Sequence, residues 1–119
     1  MTSGLVVTFG MGDTLLAFPV TLVDRVLPLR PVVPVPDAPA HILGTFRHGG
    51  EEVVLLNLAL FLGQEPRAPT PLTRVLLLTP EADSGPYRMA VRVDCVLEVT
   101  LVAAEQVSPL PEELRQLWA

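Results

Sequence analysis

The sequence has one cysteine, no lysine, three serines and few aromatic residues, with four phenylalanines, one tyrosine and one tryptophan in 119 residues. A lone cysteine excludes an internal disulfide, so the chain fits a reducing compartment or a fold that needs no staple. All eight basic residues are arginine, set against thirteen acids, and the net charge of -5 gives no basic field to draw nucleic acid or anionic lipid. No apolar run approaches the roughly 20 residues of a membrane span. The start, Met1-Thr2-Ser3-Gly4, is uncharged, and the apolar run after it is broken by Gly10, Gly12 and Asp13, so no secretory signal is expected. These absences point to a cytoplasmic protein with neither a nucleic-acid partner nor direct membrane insertion.

Catalytic signals are equally sparse. His41 and His48 stand seven apart with no acid or thiol at ligand spacing, which argues against a metal. Cys95 sits between apolar neighbours, Val93 and Val96, where an inert thiol is the expected reading. Ser84-Gly85 lacks the turn that exposes a serine nucleophile, and no glycine-rich phosphate loop is present; Gly10-Met11-Gly12 reads as a turn. Asp24 and Asp94 are read as turn caps or acceptors of backbone N–H groups rather than as a carboxylate pair. No enzyme, cofactor or metal is expected.

What the chain does contain is hydrophobic residues, half of the total, enough for one domain that buries roughly two-thirds of its extended surface. It also contains an echo: Val23-Asp24-Arg25-Val26-Leu27 returns seventy residues later as Val93-Asp94-Cys95-Val96-Leu97. Each copy follows a stretch that reads as two strands joined by a polar turn, which suggests two related halves. The spacing predicts hairpins from 5–9 with 14–20, from 42–46 with 53–56, and from 75–79 with 87–93, each across a glycine- or proline-bearing turn. Residues Val20 to Leu27 carry apolar side chains at 20, 23, 26 and 27, a spacing that predicts one or two helical turns stopped by Pro28. Prolines 28, 31, 34, 36 and 39 impose an extended connector, and Asn57 to Leu62 reads as a short helical turn closed by Gly63. Gln64 to Pro71, with three prolines, is a stiff connection, dividing the chain into halves of about 1–63 and 72–119. Val75-Leu76-Leu77-Leu78 is apolar on both faces, so its strand should be central or covered.

The ordered set of motifs resembles a family. Phe9-Gly10-Met11-Gly12-Asp13, then Leu16-Ala17-Phe18-Pro19-Val20, Val23-Asp24-Arg25-Val26-Leu27, Val35-Pro36 and Pro39 are similar to the opening half of CheW-type coupling proteins of bacterial chemosensory arrays. The likeness continues through Gly44, Gly50, Val53, Leu56 and Leu58, then Arg74 to Leu78 and Val93-Asp94-Cys95-Val96, across nearly the whole chain. The resemblance implies an all-β fold with short helices, arranged as two small SH3-like β-barrel lobes, and a non-catalytic scaffold that joins receptor tips to the CheA histidine kinase. It further implies that the cytoplasmic tip of a methyl-accepting chemoreceptor docks between the lobes. Carried over by position, that surface is Val23, Val26, Gly44, Val96 and Val99, with Arg25, Arg47 and Gly49 at its rim. Other CheW-like proteins and the kinase regulatory domain are the further partners it implies.

Three departures stand out. Gly49 occupies the position of the family's usual arginine, Arg25 replaces its usual acid, and the second half ends before the family's final strand and helix. The last departure leads us to expect an incomplete second lobe, covered by the segment Pro109 to Ala119 or by a second copy in a homodimer, and kinase coupling lost while receptor binding survives. Full receptor-to-kinase coupling is the alternative. A more distant one is a small-molecule-binding barrel with Phe9, Phe18, Phe46 and Trp118 about the ligand.

Overall fold

Short runs of alternating polarity, cut by glycine and proline, fold as strands. In the structure, a computed structural model that describes residues 3–65, 67–80 and 87–103, β1 (Ser3–Met11) and β2 (Thr14–Pro19) form the first hairpin. A 3₁₀ turn (Val20–Leu22) leads into β3 (Val23–Pro28). Then come β4 (Ile42–His48), β5 (Glu51–Leu56), a helical turn α1 (Leu58–Phe61), β6 (Arg74–Leu78), β7 (Arg88–Val93) and β8 (Cys95–Ala103). The β4–β5 turn has two residues, Gly49 and Gly50, with φ of 58° and 81° between the partners His48 and Glu51. Positive φ at both central positions is what a type I′ hairpin needs, and glycine adopts it without strain.

The strands make two sheets, one ordered β2-β1-β8 and the other β3-β6-β7-β5-β4. All pairings are antiparallel except β5 with β7. The larger sheet curls. Val33 exchanges backbone hydrogen bonds of 2.8 and 2.9 Å with Thr45 on β4, although it lies only five residues beyond the end of β3 at the other edge. Five residues reach at most about 17 Å, whereas five strand spacings in a flat sheet would separate the two by about 24 Å. Only a barrel brings them together.

Two cores result. Leu27, Phe46, Val53, Leu55, Val75, Leu77 and Ala90 fill the barrel. Phe9, Met11 and Phe18 from the small sheet meet Leu56, Leu76, Leu78, Val91 and Val93 on the barrel's outer face, with Leu58 and Ala59 of α1. β6 therefore gives Val75 and Leu77 to one core and Leu76 and Leu78 to the other, so both its faces are apolar as the sequence suggests. Phe9 and Phe18 contact each other at 4.9 Å between ring centroids, inclined by 57°.

Two expectations are corrected. Residues 23–28 are a strand, not the end of a helix. Its register slips by one between Val23 and Arg25, leaving Asp24 as an extra residue opposite β6. That bulge places Val23 and Val26, three apart, on one face, and so imitates helical spacing. The sheets also do not divide the chain at 64–71: the barrel takes β3, β4 and β5 from before that segment and β6 and β7 from after it, and the small sheet joins β1 and β2 to β8. Parallel pairing of β5 with β7 requires a crossover, so strands from the two stretches interleave. The segment from Pro109 to Ala119 lies outside the described residues.

Candidate functional site

Strand register decides which side chains share the space between the sheets. On β3, Val23 lies opposite Leu78 and Val26 opposite Leu76, and both leucines belong to the inter-sheet core. On β8, Val96 lies opposite Phe9 of that core, and Val99 opposite Val7, two residues from Phe9 on the same face of β1. The inner pair, Val23 and Val96, packs half-buried against the core. The outer pair stays open, with Val26 45% and Val99 58% exposed. Leu101 and its partner Leu5 continue the exposed apolar margin along the same face. Four of the sequence-derived residues are thus brought to one inter-sheet space, from two different sheets.

The other four are placed elsewhere. Arg25 lies opposite Leu77 and so turns to the barrel-side face, where it is exposed and makes no ion pair among the described residues. Gly44 is buried beneath the Val33 strap: a Cβ there would stand 2.7 Å from the Val33 carbonyl oxygen. Arg47 is exposed on β4 and donates to the Gly50 carbonyl at 3.1 Å, while Arg30 lies 5.9 Å over the Phe46 ring and donates to the Arg47 carbonyl. Gly49 sits in the exposed I′ turn with open space around its α-carbon.

Side chains hold the two bulges that set this geometry. On β8 the extra residue is Leu97, and the buried Thr8 hydroxyl both donates to the Glu98 carbonyl and accepts from its N–H, at 3.2 Å each. On β3, Asp24 is held by Arg88, whose side chain is only 10% exposed. Burial pulls the Arg88 pKa down, but hydrogen bonds and charge from Asp24 and Glu51 outweigh this and leave it above the ordinary arginine value. Sequence reasoning passed over Arg88. The only signal for it was alternation: Arg88, Ala90 and Arg92 share one face of β7, which reads as a solvated face until the barrel encloses it.

The two aspartates of the echo are structural. Asp94 accepts the Gly12 N–H at 2.6 Å and lies 4.0 Å from Arg67 Nε, pinning the β1–β2 turn to the start of β8. Asp24 accepts from a guanidinium instead. Of the described aromatic residues proposed to line a ligand space, Phe9 and Phe18 fill the inter-sheet core and Phe46 fills the barrel, so these three share no cavity; Trp118 lies outside the described residues. An open cleft of about 360 Å³ beside the β1–β2 turn is lined by Gly12, Asp13, Thr14, Gln64, Glu65 and Arg67, with no aromatic or aliphatic floor. His41 stands against Phe61 at 5.6 Å. No helix among the described residues is long and apolar enough to cross a membrane.

Two sheets packed over a shared inter-sheet core, with Val26 of β3 and Val99 of β8 exposed on the faces turned toward it, define an all-β protein. The model of the CheW-like domain family matches residues 5–117, nearly the whole chain, and the chain belongs to that family. It is therefore a member of a family of chemotaxis scaffold and adaptor proteins. Among solved structures, the scaffolding protein TtCheW from Thermoanaerobacter tengcongensis is similar in fold, with a TM-score of 0.78 at 19% identity over 93% of this chain and 73% of that one. No curated protein gives a sequence match.

Proposed function

We propose that this chain is a non-catalytic, cytoplasmic scaffold of a bacterial chemosensory array that binds the helical signalling tip of a methyl-accepting chemoreceptor. The observation that carries the reading is that Val23 and Val26 of the barrel and Val96 and Val99 of the small sheet lie on faces turned to one inter-sheet core, the outer two exposed. An amphipathic helix can bury its apolar stripe on such a margin while its polar face remains in water. Family membership favours a partner of this kind, and the exposed valines favour this surface.

A second reading adds a β partner, either the CheA-type kinase regulatory domain or another CheW-like chain. It is favoured by β2 and β8 each pairing on one side only among the described residues, since an open strand edge can extend a neighbour's sheet. Titration of the intact chain with a receptor signalling-tip fragment, and separately with the kinase regulatory domain, separates the readings. Binding of the tip that is lost in Val99→Asp supports the receptor reading, and no binding of the tip overturns it.

A further inference from the structure

Arg88, with its side chain only 10% exposed, is a cation at the mouth of the barrel. In register it lies beside Val53 of β5, whose side chain is fully buried in the barrel core, so the guanidinium closes the end where β7 begins. Its Nη2 donates to Asp24 Oδ2 and to the Leu78 carbonyl, both at 2.8 Å, and its Nη1 donates to Glu51 Oε1 at 2.8 Å. One planar fork thereby ties β7 to β3, β6 and β5, a geometry that a lysine ammonium does not reproduce.

The contact to Asp24 falls on the extra residue of the β3 bulge, between the partners Val23–Leu78 and Arg25–Leu77. A bulge residue has no ladder partner of its own, and here the Asp24 carboxylate is tied to Arg88 instead. If the bulge relaxed, the residues after Asp24 would slide by one. Val26 would then lie opposite Val75, facing the barrel, and Arg25 would lie opposite Leu76, facing the inter-sheet space. A valine and a cation would exchange places at the groove.

We propose that Arg88 is a positioning residue for the docking groove, holding Asp24 in the bulge so that β3 presents Val26 and not Arg25 to the partner. This role rests on the receptor reading above. Glu51 anchors the other arm of the fork and does not touch β3, so it supplies the control. The test uses the full chain in four variants, Arg88→Met, Asp24→Asn, the double change, and Glu51→Gln. Two readouts are taken: affinity for the receptor signalling-tip fragment, and the β3–β6 register of the free protein from cross-strand nuclear Overhauser contacts.

The expected result is at least a tenfold loss of affinity in Arg88→Met and in Asp24→Asn, no further loss in the double variant, and a change of less than twofold in Glu51→Gln. With it, the cross-strand contact of Val26 moves from Leu76 to Val75 in the first three variants only. Should Arg88→Met not fold, Asp24→Asn, which keeps the side-chain shape, carries the test alone. Unchanged register in folded Asp24→Asn overturns the proposal, whatever the affinity does. Failure of the wild-type chain to bind the tip overturns the receptor reading and this role with it, while the register readout still decides whether the pair holds the bulge.

Discussion

Gly44→Ala sets a structural role for Gly44 against a contact role. The added Cβ would lie 2.7 Å from the Val33 oxygen, 3.1 Å from its carbonyl carbon and 3.2 Å from Val32 Cβ. Ordinary contact begins near 3.4 Å, so the strap must retreat by about 0.7 Å, which takes both of its hydrogen bonds to Thr45, now 2.8 and 2.9 Å, past useful length. Two such bonds are worth about 1–3 kcal/mol net. Against a total stability of about 5–15 kcal/mol for a small domain, that is a large fraction. With a urea slope of about 2 kcal/mol per molar, the unfolding midpoint should fall by about 1 M. Amide exchange should quicken at Val33 and Thr45, the two donors of the bridge, and slow exchange should persist at Leu76 and Val91 in the core. An unchanged midpoint with both amides still protected would refute the closure argument. A loss of partner affinity at unchanged stability would return Gly44 to the binding surface.

Further outcomes follow from the turns. Asp94→Ala removes the acceptor of the Gly12 N–H and should cost about 1–2 kcal/mol, seen as a lower thermal midpoint; no change would mean that water replaces the carboxylate at no cost. Gly49→Arg should destabilise by about 1–2 kcal/mol in denaturant titration, because an L-residue at φ 58° in the I′ turn is strained even with open space around it. Equal stability of the variant would mean that the turn accommodates an L-residue without strain.

How far the sequence could be read depended on whether a feature was local. The three hairpins were legible because glycine and proline turns flank apolar runs of strand length, and Gly63, at φ 69°, ends α1 as its position implies. The two-faced burial of β6 was legible from four consecutive apolar residues. Strand β3 was not, because the Asp24 bulge replaces period two with spacings of three, a pattern shared with a helix turn. The interleaving of the chain between sheets was hidden for another reason: which strands pair is a long-range choice, and the echo at 23–27 and 93–97 marks similar residues in dissimilar places. The first copy lies along β3, while the second spans the end of β7, a bend at Asp94 and the start of β8. Of the proposed docking surface, the four valines came from the resemblance alone. Arg88 was not legible, since an arginine on a strand looks solvated until a barrel closes over it.

The central claim is that a partner helix docks on the margin formed by Val26 and Val99. Its most direct test is the affinity of a chemoreceptor signalling-tip fragment for wild type, Val99→Asp and Leu15→Asp. Val99 and Leu15 are 58% and 66% exposed, so neither change should disturb the fold, but Leu15 lies opposite Gly10, on the other face of the small sheet. A carboxylate buried against an apolar helix should cost at least tenfold in Kd, about 1.4 kcal/mol, for Val99→Asp, with Leu15→Asp within twofold of wild type. Equal affinity of Val99→Asp and wild type, with circular dichroism unchanged, would contradict it.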